Sequence, residues 1–106
     1  MYVLLSTQPL TFAFGDSATS TRDISHTIYP PAGSEILSIF LQDYNFAYAD
    51  GKQYGFGEMG VNLSTVLEEN VWKGVCVATL KDDNRDERRW NANIVGVIHY
   101  YGRLPQ

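Results

Sequence analysis

Apolar and polar residues alternate with a period of two along most of the chain, β-branched and aromatic side chains supply the apolar beat, and no segment sustains a helical pattern. Thr11-Phe12-Ala13-Phe14 predicts a short strand ended by Gly15-Asp16. Ile24, His26 and Ile28, alternating with Asp23, Ser25 and Thr27, predict a second. Tyr29-Pro30-Pro31-Ala32-Gly33 halts pairing, because proline lacks the ladder donor and glycine admits turn dihedrals.

The run from Ile36 to Tyr48 is the most informative. Leu37, Ile39 and Leu41 keep one parity while Tyr44, Phe46 and Tyr48 keep the other, so the inward face changes hands near Gln42-Asp43. A β-bulge there, inserting one residue, lets one long strand serve the same interior along its whole length. Asp50-Gly51 is a turn signal, lengthened by the residues from Lys52 to Phe56. Met59, Val61 and Leu63 alternate with Glu58, Gly60, Asn62 and Ser64, and Glu68-Glu69-Asn70 forms the turn after them.

Val71 to Leu80 is apolar on both parities and is placed centrally in its sheet. Lys81 to Arg89 reads as a charged loop. Trp90 to Tyr101 is the last strand, with Trp90, Ala92, Ile94, Ile98 and Tyr100 on one face, and Arg103 to Gln106 reads as a frayed end. The expected fold is therefore all-β, an antiparallel β-sandwich of about six strands formed as a single domain over residues 1–106, with a closed barrel as the alternative.

Composition narrows the function classes. The 106 residues are 44% hydrophobic and 19% charged, which suits a soluble chain with its own core rather than a disordered tail. No apolar stretch approaches the roughly 18 to 20 residues of a membrane span. The first residues lack a basic region and a long apolar run, so Sec-type export is not expected. A net charge of −4 without a basic patch argues against nucleic acid as a partner. The lone Cys76 lies in the apolar run and reads as a core thiol.

Candidate chemistry concentrates in Lys81-Asp82-Asp83-Asn84-Arg85-Asp86-Glu87-Arg88-Arg89, where eight of nine residues are charged and four positive charges equal four negative. One reading is a solvated hairpin tip. The other notes that planar Arg88 and Arg89 forks and the Asp86 carboxylate, beside the ring of Trp90, are groups that bind sugar hydroxyls and stack on an apolar sugar face. Tyr44 and Tyr48 join Asp86, Arg88, Arg89 and Trp90 as candidate ligand-binding residues, because half-buried tyrosines suit both sugar clefts and subunit interfaces. Asp82-x-Asn84-x-Asp86 matches the opening of a calcium loop, but Glu87 stands where the sharp-turn glycine belongs. His26 and His99 lie far apart without a second ligand at metal spacing, and no nucleophile elbow appears. No metal, no cofactor and no catalytic residue is expected.

The order of features resembles an H-type lectin domain across roughly residues 24 to 101: Pro30-Pro31 entering the long strand Ile36 to Tyr48, then Met59 to Leu63, Val71 to Leu80, a polar loop and a closing strand Asn93 to Tyr101. The resemblance implies a six-stranded antiparallel sandwich, assembled as a trimer or multiple of trimers, that binds galactose-type sugars near subunit contacts without catalysis. It transfers no sugar-contacting residue, since Ile98-His99-Tyr100-Tyr101 stands where the family carries Trp followed by a small residue.

Two functions follow as expectations. The first is a non-enzymatic, homo-oligomeric carbohydrate-binding module. The alternative is a structural or protein-interaction subunit of a larger assembly, such as a viral, phage or injection-machine particle. Association is expected on physical grounds as well, because the last strand and Val71 to Leu80 are apolar on two faces.

Overall fold

The computed structural model describes residues 1–82 and 88–104, and of Phe56 the backbone alone. Its described residues form six strands and no helix: β1 Tyr2–Ser17, β2 Thr21–Ile28, β3 Ile36–Tyr48, β4 Phe56–Glu68, β5 Val71–Asp82 and β6 Trp90–Arg103. They make two three-stranded sheets, ordered β1-β6-β3 and β2-β5-β4, with every pairing antiparallel. The fold is all-β and sandwich-like, as the alternation predicts. No helix among the described residues is long and apolar enough to cross a membrane.

The parity change in β3 has the expected cause. Its register against β6 shifts between Leu41 and Asp43, so Gln42 is the extra residue of a bulge. Leu37 and Ile39 before it, and Tyr44, Phe46 and Tyr48 after it, all pair with the inward row Tyr100, Ile98, Ile94, Ala92 and Trp90. Without the extra residue the second half of β3 would turn its aromatics outward.

β5 is central in its sheet, and its inward residues Cys76, Ala78 and Leu80 pack against Phe12, Phe14, Trp90, Ala92 and Ile94. A second cluster, Ile28, Leu37, Ile98 and Tyr100, fills the other half, and Leu10 and Ile39 touch both. The β4–β5 hairpin closes through Glu69 and Asn70 at φ 50° and 65°, the left-handed pair of a type I′ turn.

Several boundaries differ from the sequence reading: β1 continues through Gly15-Asp16 to Ser17, and β4 takes in Phe56 and Glu68, residues the alternation assigns to the connection and the turn. β1 begins at Tyr2 rather than Thr11 and runs through Pro9, which an edge strand tolerates because it leaves one row of donors unused. Lys81 and Asp82 extend β5 rather than open the charged loop, and Asp82 is fully buried. Arg103 belongs to β6, and Leu104 N donates to Met1 O, so residues 103 and 104 are paired rather than frayed.

Candidate functional site

Three parts of the chain gather at one end of the sandwich: 18–20 after β1, 49–55 after β3, and residues 88 and 89 before β6. Trp90 pairs with both Ser17 and Tyr48 there, and Phe56 with Asp82. The other end holds the Pro30-Pro31 segment and the Glu69-Asn70 turn.

At the three-connection end, an open cleft of about 700 Å³ lies between the second half of β3, the 49–55 connection, and Met59 and Leu80 of the other sheet. Its aromatic wall is Tyr44, Phe46, Tyr48 and Tyr54, and Gln53 also lines it; Asn45 and Ala47 border it from the outward parity of β3. The Gln42 bulge is the reason three of these aromatics come from one strand. Tyr48 and Tyr54 meet edge to face with ring centres 4.8 Å apart, and Tyr44 meets Phe46 at 6.2 Å. Tyr44 is half exposed at the mouth.

The 49–55 connection is braced from within. Gly51, at φ 73°, makes the turn that returns its N–H to Tyr48 O. Asp50 accepts hydrogen bonds from Lys52 N and from the Tyr54 hydroxyl. The Tyr54 hydroxyl and, next, the Lys52 amide hold the Asp50 carboxyl below its ordinary value, and the same bond to Asp50 raises Tyr54. Arg88 lies over the Tyr54 ring at 4.0 Å, and its Nε donates to the buried carboxylate of Asp82. Ala49 N donates to Arg89 O, which ties the two connections together.

The six candidate residues separate. Tyr44 and Tyr48 line the aromatic cleft. Arg88 and Arg89 line a second, more open depression of about 490 Å³ with Asp16, Ala49 and Asp50. Asp86 lies outside the described residues.

Trp90 does not form part of a binding edge. It is 0% exposed, its Nε1 donates to Thr19 O at 3.0 Å, Phe14 and Phe46 pack beside it, and the Arg22 guanidinium covers its face at 3.9 Å. Strand pairing decides this, because Trp90 is the first residue of β6 and takes the inward parity of Ala92 and Ile94. Arg88 also differs from expectation: it is half-buried and neutralises Asp82, so it is a structural partner as well as a wall. Arg89 is exposed, and the loop does continue through it.

Alternation did not single out Tyr54, Asp50 or Gln53. Tyr54 belongs to the tyrosine set visible in the sequence, but it sits in a connection, where no period assigns a direction. The Asp50-x-Lys52-x-Tyr54 spacing that closes the turn is the available signal. No family model, no curated protein and no solved structure matches the chain.

Proposed function

We propose that the protein is a non-enzymatic carbohydrate-binding module whose site is the tyrosine cleft, with galactose-type sugars as the ligand class that the H-type lectin resemblance implies. The observation that carries the proposal is the cleft itself: a solvent-open aromatic wall of Tyr44, Tyr48 and Tyr54 beside Gln53. A sugar ring offers an apolar C–H face and a rim of hydroxyls. An aromatic plate takes the face, and an amide such as that of Gln53, which both donates and accepts, takes the rim. Among the described carboxylates at this end, Asp16 is engaged by Asn91, Asp50 by Tyr54 and Asp82 by Arg88, which favours binding over acid-base chemistry.

A glycan array on the purified chain, followed by calorimetry with galactose, tests the proposal. Binding that falls at least tenfold in Tyr44→Ala and Tyr54→Ala, and is unchanged in Arg89→Ala, supports it. Uniform silence across the array refutes it. The second reading, a structural or protein-interaction subunit, is favoured by one observation: the outer face of the β1-β6-β3 sheet exposes large apolar side chains, Leu4, Ile36 and Phe40 among them.

A further inference from the structure

Tyr54 lies in the connection between β3 and β4, where no strand pairing gives its side chain a direction, yet it is a wall of the cleft. The ring is held from three parts of the chain. Its hydroxyl donates to Asp50 within its own connection, the Tyr48 ring of β3 meets it edge to face at 4.8 Å, and the Arg88 guanidinium carbon lies 4.0 Å from its centre. Arg88 is the contact that ties the ring to the interior. Its Nε donates to Asp82, the last residue of β5, whose side chain is 1% exposed. A carboxylate taken out of water depends on its charged partner, so Asp82 fixes where the guanidinium sits.

Two roles for Arg88 differ in what they require of the side chain. Neutralising Asp82 requires a positive charge. Packing on Tyr54 requires a planar, weakly hydrated cation, which a guanidinium is and an ammonium is not. Tyr54 lines the cleft, whereas Arg88 lines the second depression and is absent from the cleft wall.

We infer that Arg88 is a positioning residue of the cleft: anchored on the buried carboxylate of Asp82, it holds the Tyr54 ring in the wall ahead of any ligand and does not itself touch the ligand. The holding stands on the geometry of Asp82, Arg88 and Tyr54, and its effect on affinity rests on the sugar proposal. A side chain that must be ordered when a ligand binds lowers affinity by roughly two- to tenfold, and a ring already held avoids that loss.

Arg88→Lys in the full chain separates the two roles, because it keeps a positive charge for Asp82 and gives up the planar contact with Tyr54. Nuclear Overhauser contacts between the Tyr48 and Tyr54 rings read the ring position without a ligand. They are expected in the wild type and in Arg89→Lys, and weakened in Arg88→Lys. Calorimetry with galactose is expected to show Arg88→Lys binding about two- to tenfold more weakly than the wild type. In a Tyr54→Leu background Arg88→Lys is expected to cost no further affinity, since it acts through that ring, whereas a purely structural role would lower affinity in both backgrounds alike. One measurement needs no change at position 88: the side-chain protons of Arg88 are expected to be displaced upfield by the ring current of Tyr54 in the wild type, and to lose that displacement in Tyr54→Leu. This decides the matter if Arg88→Lys does not fold. Intact Tyr48–Tyr54 contacts in Arg88→Lys, galactose affinity equal to the wild type, an equal loss in the Tyr54→Leu background, or Arg88 protons without a ring-current displacement would each overturn the inference. A wild type that binds no glycan refutes the sugar proposal, and the ring contacts and ring-current displacement then still decide whether Arg88 holds Tyr54.

Discussion

Replacing Trp90 separates support of the site from contact with a ligand. The indole is fully buried among Phe14, Phe46 and the Arg22 guanidinium, and its N–H is spent on Thr19 O. Trp90→Ala removes that packing and leaves a cavity, a change that costs about 3–5 kcal/mol in comparable cores. Total stability of a domain of this size is of the order of 5–15 kcal/mol, so the variant keeps a fold only if the parent lies above the lower bound. Trp90→Phe retains a ring against Phe14 and Phe46 but loses the hydrogen bond to Thr19 and the larger platform under Arg22. A lost net hydrogen bond of about 1 kcal/mol and a weakened cation–π contact of about 0.5–1 kcal/mol add to roughly 1.5–2 kcal/mol.

Urea unfolding followed by far-ultraviolet circular dichroism measures both variants without depending on the substituted fluorophore. With a slope of roughly 1–2 kcal/mol per molar urea, the midpoint should fall by about 1.5–5 M for Trp90→Ala and by about 0.8–2 M for Trp90→Phe. Glycan affinity of the folded Trp90→Phe protein should match the parent. A midpoint change below about 0.5 M for Trp90→Ala, or a folded variant that has lost sugar binding, would show that the indole is not the structural element described.

Deleting Gln42 should abolish cooperative unfolding, because Phe46 and Tyr48 would turn away from the interior, whereas Gln42→Gly should remain folded; thermal melts of the two distinguish bulge from spacer. Arg88→Ala should destabilise by roughly 1–3 kcal/mol, less than a fully buried pair because the arginine is partly exposed, while Arg89→Ala should stay within about 0.5 kcal/mol; urea midpoints give both. Burial pushes the Cys76 thiol up to about 11, so it should resist a disulfide reagent in the native protein at neutral pH and react fully in denaturant. The unfolded thiol loses its proton first as pH rises, near its ordinary value of 9.0, so this group lowers stability between there and about 11; pH-dependent urea midpoints of wild type and Cys76→Ala should diverge in that window.

Local patterning determined most of the architecture before any coordinate. The bounds of Ile36–Tyr48, its parity change and the central place of Val71–Leu80 follow from which side chains must avoid water, a property each residue carries with it. The start of β1 was not legible, because Tyr2 to Gln8 shows no clean alternation and Pro9 argues against a strand. Only pairing along the edge of β6 makes it one.

The candidate site divides along the same line. Tyr44 and Tyr48 could be named from β3 alone, since alternation gives a strand residue its direction. Arg88, Arg89 and Trp90 are consecutive and looked like one cluster, yet the first residue of β6 turns inward while its two neighbours stay in the connection. Tyr54 and Asp50 enter only because the 49–55 connection folds back over the end of β3 and meets Arg88 of the connection before β6. The sequence by itself therefore determined the strands and their inward faces, which depend on a period of two. Tertiary structure decided which loop residues share a cleft, because that depends on where three chain crossings meet, and no local pattern encodes a distance between segments so far apart.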